Sequence, residues 1–481
     1  MKGEVQAMAM TGVVAAKADS GLKRMNFLGY IWFSAFQLAF SFLWGAIGVI
    51  ILPAVNGALT ERLLVNGKLT IGPFVLDNAH TDVKVTTLGI ISFTGLTLAA
   101  ISQPMFGTWS DSFKSKIGKR MPFIAVGSIL TLLALMGMTL AVMVGWLAFF
   151  LMYCALQFVS NIAYGPYHGL LPDMVPEIDR GKASGVLGGM QMLGTVASGL
   201  VLSVVFDVYK NFTGAMLTII VLVAACALLT LLFLREPVPP PGRVQPHEVK
   251  GVRRLLSIFS IEAKKYPDFV WLLFARTWTL TGIATVSTYA LYWMGDVVKP
   301  QGYKLLGLTI DSPAKAVSML LAIVIMFAFV AAIVSGPLSD RFGRKPLIAL
   351  SGAFGIMGVV PFVFVRDLGM VLVFAIFIGL CYGMFTAVDW AMVTDLIPRS
   401  QAGKYMGVSN LATAMPQAIA PLLGGILGAI FSVNRNYDAE YAAIFTGAAV
   451  YFLLGIVLLL KVREHKVREE EIAIRSDLAT T

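Results

Sequence analysis

Twelve apolar runs, each long enough for a helix to cross a bilayer, restrict this sequence to one kind of fold. They fall at 27–52, 86–107, 121–143, 146–170, 183–206, 213–234, 268–295, 314–337, 345–365, 368–393, 404–431 and 439–461. A helix needs about 20 residues to span the hydrocarbon core. Runs 3 and 4 are parted only by Gly145 and its neighbours, and runs 9 and 10 by Arg366 and Asp367. Either pair, read as one, is too long for a single crossing. Composition agrees: 57% of residues are apolar, 13% are charged, and mean hydropathy is +0.80. Soluble domains are nearer half apolar and a quarter charged. Lipid is therefore expected to cover what a core cannot bury. That excludes a soluble enzyme, a disordered scaffold and a secreted disulfide module. Cys154, Cys226 and Cys381 lie inside apolar runs without metal-ligand spacing, so neither disulfides nor a metal is expected. No P-loop, GxSxG or HExxH occurs, so no enzyme, no ATP drive and no cofactor is expected. Residues 1–24 lack a short apolar stretch followed by a cleavage site, and no removable signal peptide is read there.

Lysine and arginine set the direction of the runs. With the N-terminus inside, 27 fall on the inner side, 9 on the outer, and one, Arg276, inside run 7. The positive-inside rule then puts both termini in the cytoplasm of a plasma (inner) membrane. The net charge of +10 is topological, and no nucleic-acid partner is expected. The expected organisation is a cytoplasmic tail (1–26), a six-helix bundle (27–234), a cytoplasmic linker (235–267), a second six-helix bundle (268–461) and a second tail (462–481). In the linker, Val249, Val252, Leu255, Leu256 and Phe259 recur at helical spacing beside Arg253, Arg254, Lys264 and Lys265. This reads as a basic amphipathic helix on the inner leaflet, with calmodulin-like binding as the alternative. The outer segment 53–85 is long, and Val65-Asn66-Gly67-Lys68 predicts a two-residue hairpin turn between Leu63-Leu64 and Leu69-Thr70-Ile71.

The two halves repeat. Gly107-Thr-Trp-Ser-Asp111 leads to Gly118-Lys119-Arg120 after run 2, and Gly336-Pro-Leu-Ser-Asp340-Arg341-Phe-Gly343-Arg344-Lys345 follows run 8. Asp173-x-x-Pro176-x4-Gly181-Lys182 after run 4 returns after run 10 as Asp395-x-x-Pro398-x4-Gly403-Lys404, offset by 222 throughout. These residues resemble the major facilitator superfamily. Within it, Gln103-Pro104, the lengthened Ser110-Asp111…Arg120-Met-Pro122-Phe123 stretch and Tyr164-Gly165-Pro166…Pro172-Asp173 are similar to the glycoside–pentoside–hexuronide and sucrose-type cation symporters. The resemblance implies an all-α integral membrane protein with 12 transmembrane helices in two pseudo-symmetric six-helix bundles. It also implies a sugar or glycoside substrate, which the composition does not show. The expected form is a monomer in the lipid bilayer.

Charge at bilayer depth is costly and faces a cavity or a partner. Asp389 in run 10 and Arg276 in run 7 are at depths that could match. They read either as a proton-coupling carboxylate with a modulating base or as a static ion pair. His168 is a further proton-relay candidate, against a plainly hydrogen-bonded histidine. Run 4 carries Gln157, Asn161, Tyr164 and His168 on one helix face. Gln37, Gln191, Tyr289, Asn410 and Gln417 complete the candidate substrate lining: amides bond sugar hydroxyls and aromatic faces stack on sugar C–H faces. The alternative is interhelical hydrogen bonding. Trp44, Trp146 and Trp293, near run ends, read as an interface belt. Run 2 has no acidic residue, unlike the melibiose-type relatives, so the proton rather than sodium is the expected coupling ion. An uncoupled sugar facilitator, an exporter of hydrophobic compounds and a non-transporting assembly factor on the same fold stay open.

Glycines in runs 5 and 11 (Gly185, Gly188, Gly189, Gly194, Gly424, Gly425 and Gly428) predict close helix approach. In the loop motifs, Asp111 and Asp340 can accept bonds from a helix N-terminus. Lys119, Arg120, Arg341 and Arg344 can pair with carboxylates such as Asp173 and Asp395. Such contacts would latch an inner gate; otherwise they only cap helices and anchor headgroups. Under the latch, Asp111→Ala shifts crosslinking between inner-gate cysteine pairs. Unchanged crosslinking together with unchanged transport would refute it.

Overall fold

The computed structural model describes residues 25–64, 68–71, 74–77, 82–113, 115–176, 180–209, 212–236, 265–298, 303–305, 308–310, 312–396, 402–431 and 437–463. The expected linker helix and both tails lie outside these residues, apart from a few at their edges. Among the described residues twelve helices run in chain order: α1 (Phe27–Leu63), α2 (Val83–Ser112), α3 (Met121–Val144), α4 (Trp146–Met174), α5 (Arg180–Tyr209), α6 (Phe212–Phe233), α7 (Pro267–Val298), α8 (Pro313–Phe342), α9 (Arg344–Val363), α10 (Leu368–Leu396), α11 (Ala402–Phe431) and α12 (Tyr437–Leu460). Eleven carry an apolar window long enough to cross a membrane; in α5 the described apolar stretch is shorter, Val186–Leu202. The fold is that of an all-α integral membrane protein.

The helices turn their greasy side outward. On α3, Val126, Ile129, Leu133, Met136 and Leu140 recur every three or four residues and are exposed. Ser128 and Thr131 on the same helix are buried. A water-soluble helix would reverse this polarity. Exposed leucine and isoleucine at helical spacing match a hydrocarbon solvent, where small residues and hydrogen bonds, rather than water exclusion, hold helices together.

Two short antiparallel hairpins interrupt the helical pattern. Between α1 and α2, β1 (Lys68–Ile71) pairs with β2 (Phe74–Asp77), with Ile71 opposite Phe74. A hairpin is present as the sequence predicts, but its strands differ. Leu63 is the last residue of α1 rather than a strand residue, Leu69–Ile71 pair with Phe74–Leu76, and the expected turn at Asn66-Gly67 lies outside the described residues. The sequence reading misses the second hairpin, between α7 and α8, where β3 (Tyr303–Leu305) pairs with β4 (Leu308–Ile310). The two hairpins hold equivalent places in the repeat. So do two single π turns, Ile47–Ile51 in α1 and Met294–Val298 closing α7.

Contacts group the described residues into two compact units. The first holds those up to Ile51 and from Thr97 to 236; the second holds Leu52–Leu96 and those from 265 onward. The boundary therefore cuts through α1 and α2 rather than following the sequence repeat. In the first unit, Gly165 of α4 packs on the Gln103 carbonyl and Gly107 of α2, and Gly194 of α5 packs on the Leu38 carbonyl of α1. In the second, Gly379 and Gly383 of α10 pack on the Val324 and Ala328 carbonyls of α8. Gly425 of α11 meets Gly89 of α2, and Gly424 makes room for the Tyr289 ring. Gly188 and Gly189 do not follow the expectation: a methyl group added at either would touch nothing within 4 Å.

The tryptophan belt also needs correction. Trp293 is buried between Phe362 and Phe445, and Trp146 is buried with its ring stacked on Phe150. Both are packing residues; Trp44 is half-buried against Phe40 and Tyr153. Gly165→Val puts a branched Cβ against the Gln103 carbonyl. It is expected to cost about 1–3 kcal/mol of stability, read as a lowered thermal unfolding midpoint in detergent, whereas Gly188→Ala does not lower the midpoint.

Candidate functional site

In the first unit, polar side chains of α1 and α4 meet inside an apolar surround. Gln37 is buried, and its amide donates to the Tyr164 hydroxyl at 3.2 Å and to Ser41 Oγ at 3.3 Å. Tyr164 is half-buried, with its ring stacked face to face on Phe40 at 3.4 Å between centroids. Two turns back along α4, the buried Gln157 amide donates to the Tyr153 hydroxyl at 2.9 Å. Asn161, also buried, donates to the Gln157 carbonyl at 2.8 Å. His168 is exposed and sits edge-on to Tyr164 at 4.3 Å. Phe36, Phe40, Ser128, Thr131, Ser160 and Val223 line a small cavity beside this patch. The face read from the 4, 3, 4 spacing is thus assembled, and Gln37 joins it.

The other predicted lining residues do not gather at one described place. Gln191 and Gln417 are exposed. Tyr289 is fully buried, and its hydroxyl donates to the Pro421 carbonyl at 2.6 Å. The side chain of Asn410 lies outside the described residues.

In the second unit, Arg276 of α7 and Asp389 of α10 form an ion pair: Nη1 lies 2.6 Å from Oδ2, with 2% and 1% of the two side chains exposed. Nη2 of Arg276 donates to Thr413 Oγ1 on α11 at 2.5 Å, and the guanidinium lies 4.2 Å over the Trp390 ring. The cation therefore bridges three helices. The pair is incompletely satisfied: Arg276 Nε and Asp389 Oδ1 have no hydrogen-bond partner among the described residues. A buried carboxylate with an empty acceptor position can take a proton or a substrate hydroxyl.

The loop motifs build matching turns. Ser110 Oγ donates to the Gly107 carbonyl at 2.6 Å, and Ser339 Oγ to the Gly336 carbonyl at 2.7 Å. Gly118 and Gly343 both take positive φ, +106° and +92°, which only glycine adopts readily. Arg120 is threaded inward over Gly169, and its Nε donates to Asp173 Oδ2 at 2.6 Å; Lys119 Nζ reaches the same oxygen at 3.0 Å. The sequence reading did not anticipate Glu236, just past α6. Its Oε2 accepts from the backbone N–H of Arg120 at 2.8 Å and of Met121 at 3.1 Å, capping α3 where the helix dipole favours a negative charge. In the second copy, Lys345 donates to the Leu460 and Val462 carbonyls at 2.9 and 2.7 Å, capping the end of α12. Arg341 is exposed and Arg344 half-buried. The side chains of Asp111, Asp340 and Asp395 lie outside the described residues. Arg120 and Asp173 both belong to the first unit, so the bond described here ties the α2–α3 loop to the end of α4.

A model of MFS/sugar transport proteins matches residues 32–462. Sucrose transport protein SUC4 of Arabidopsis thaliana is 22% identical over 425 residues, covering 76% of this chain and 81% of that protein. Sucrose transport protein SUT3 of Oryza sativa subsp. japonica is 21% identical over 445 residues, covering 76% and 84%. A tetracycline resistance protein, class C, of Escherichia coli is 30% identical over 171 residues, covering 34% of this chain and only 40% of that protein's length. Among solved structures, a variant of the nucleoside transporter NupG superposes with a TM-score of 0.66 at 13% identity, covering 91% of this chain and all of that one. The peptide transporter POT in complex with sulfate superposes at 0.64 with 16% identity, covering 93% and 98%. These structural likenesses bear on fold alone.

Arg276→Met leaves Asp389 buried without a counter-charge and is expected to cost about 3–5 kcal/mol. Arg276→Met with Asp389→Leu removes both charges and recovers most of the loss. Additive losses in a thermal-unfolding cycle would show that the two side chains are not energetically coupled.

Proposed function

This chain belongs to the MFS/sugar transport protein family, and from that premise we propose that it moves a sugar or glycoside across the membrane by alternating access, coupled to the proton. Family and fold make it a multi-pass membrane transporter of small molecules. Both termini face the cytoplasm in this reading, because the basic residues concentrate on that side.

The observation that carries the sugar assignment is the Gln37–Tyr164–Phe40 group. It offers an amide and a hydroxyl bonded to each other, beside an aromatic face. A sugar presents hydroxyls around its edge and C–H groups on its faces. Incoming hydroxyls would replace the Gln37–Tyr164 bond, so the site loses little by opening it. Phe40 would take the C–H face. The likeness to two plant sucrose transport proteins over three quarters of the chain supports the same substrate class. The competing reading, export of apolar compounds, finds support in the mostly apolar cavity beside Phe36 and in the partial likeness to a tetracycline resistance protein.

Proton coupling would run through Asp389. Protonation neutralises the carboxylate and releases Arg276, which keeps its Thr413 bond and its place over Trp390. The charge tie between α7 and α10 is thereby lost, leaving the contact with the Trp390 ring of α10, while α7 stays joined to α11. Sodium is not assigned, since the apolar part of α2 carries no acidic residue.

Uptake into proteoliposomes across a sugar panel, with and without an inside-alkaline gradient, tests the reading. The gradient should drive accumulation of at least one sugar, and Asp389→Asn should reduce it to the passive level. Gln37→Ala should weaken sugar binding about two- to tenfold, the loss of one neutral hydrogen bond of about 0.5–1.5 kcal/mol. Full gradient-driven uptake by Asp389→Asn would make the ion pair structural. Uptake of apolar dyes but of no sugar would favour the exporter.

A further inference from the structure

By sequence the hairpin ends of α1 and α2 belong to the first repeat, yet Leu52–Leu96 groups with the second unit. A polar network joins them to it, at the level of the π turn that closes α7. Lys84 of α2 donates to both carboxylate oxygens of Asp296 in that turn, at 2.7 and 2.6 Å. Asp296 also accepts the Tyr441 hydroxyl of α12 at 2.6 Å. The Lys84 ammonium lies 5.3 Å over the Tyr292 ring of α7 and 5.1 Å over the Tyr437 ring of α12, whose faces attract a cation. Asn56 of α1 donates to the Tyr292 hydroxyl at 2.9 Å and to the Lys84 carbonyl at 2.8 Å, so α1 is tied to the same place. Asp82 caps α2: its Oδ1 accepts the backbone N–H groups of Lys84 at 3.0 Å and Val85 at 3.3 Å, which fixes the turn from which Lys84 reaches out.

Further along the same contact, Gly89 of α2 lies against α11. A methyl group added there would stand 2.7 Å from the Pro421 carbonyl oxygen and 3.2 Å from Gly425 Cα, closer than packing allows. No solute fits between α2 and α11 at that level. The polar network has the properties of a reversible tie. Its bonds are directional, and a small displacement of α2 breaks them together. Lys84 and Asp296 each sit within a turn of a helix end on the hairpin side, and their side chains keep 15% and 17% exposure. Water at the membrane surface can take over both charges as the helices part, so the desolvation that closure costs is regained on opening. The Arg276–Asp389 pair, at 2% and 1%, has no such access.

We propose that the Lys84–Asp296 pair, with Asn56 and Tyr292 beside it, latches an outer gate. While the pair is made, the hairpin ends of α1 and α2 stay on α7, α11 and α12, and the solute path is shut at that end. The proposal rests on the alternating-access reading. On the assigned topology the hairpins are extracytoplasmic, so admission of sugar from outside requires the pair to part. The tie crosses the sequence repeat, with α2 from the first six helices and α7 from the second. Lys84 and Asp296 act as positioning residues: they set the balance of closed and open and touch no substrate. Removing one partner favours opening, because the charge left behind is worse off in the closed contact than in water. Removing both and filling the space with apolar side chains favours closure, since no charge then gains by hydration.

Spin labels at Leu63→Cys on α1 and Phe364→Cys just past α9, both exposed, read the gate by pulsed electron resonance. The full chain is used in nanodiscs, with Cys154, Cys226 and Cys381 replaced by alanine and with neither sugar nor a proton gradient present. Lys84→Met is expected to raise the ratio of long to short distances about tenfold, the loss of one hydrogen bond to a charged group. Asp296→Leu should do the same, and Lys84→Met with Asp296→Leu should return the ratio to the parent's or below. Gly89→Leu, which has no room against the Pro421 carbonyl, should give the long distance with both charges in place. It keeps the test open if a charge variant fails to fold. A parent chain without a short distance, single variants that leave the ratio unmoved, a double variant more open than either single, or a short distance in Gly89→Leu overturns the latch. Because the labels report without sugar or gradient, this result and a failure of proton-driven sugar uptake are separate findings.

Discussion

An ionised side chain inside hydrocarbon must find an opposite charge, a bonded surround or a proton. The first two answers are seen among the described residues. Arg276 meets Asp389 with almost no exposure, and Lys84 meets Asp296 beside the Tyr441 hydroxyl. Glu440 is fully buried, and neither of its oxygens receives a hydrogen bond from a described donor. An apolar packing of the same helices would be at least as stable, since replacing a buried ion pair by well-packed apolar residues is often neutral or stabilising. What the charges add is dependence on protonation. Helix contacts that would otherwise be fixed become contacts a single proton can strengthen or release.

Small residues supply the other half of the design. Gly165, Gly194, Gly383 and Gly425 bring backbones together where side chains would hold them apart. Such contacts are narrow, and apolar helices gain little by excluding lipid from between them. Packing of this kind keeps each unit compact while leaving polar residues such as Gln37 and Arg276 to decide which helices are tied.

Much of the fold is legible in the sequence because lipid imposes a simple rule: a crossing needs about 20 apolar residues. The breaks at Gly145 and Arg366-Asp367 are therefore visible without a structure. The repeated Gly-x-x-Ser-Asp…Gly motif is legible too, since Gly118 and Gly343 take a backbone conformation that other residues resist. The α4 stripe follows from helical spacing, and its meeting with Gln37 is a contact that spacing cannot give. Asp82, Lys84 and Glu440 were obscured by their position. Each lies within a turn of a helix end, where charge normally faces water, yet Asp82 and Glu440 are buried and Lys84 half-buried. Glu236 was hidden for a similar reason, because its partner in sequence is the linker while its partner in space is the N-terminus of α3. The second hairpin had a weaker signal than the first, with strands of three residues on either side of Leu306-Gly307.

Co-movement of a proton with a neutral sugar is the central claim, and charge displacement measures it most directly. Reconstituted protein on a solid-supported membrane is given pulses of sugar in sodium-free buffer. Proton-coupled transport predicts a transient current, positive in the direction of sugar entry, that grows with an imposed proton gradient and is unchanged by adding sodium. A sugar that stabilises the protein against heating yet moves no charge, or moves charge only with sodium, would contradict it.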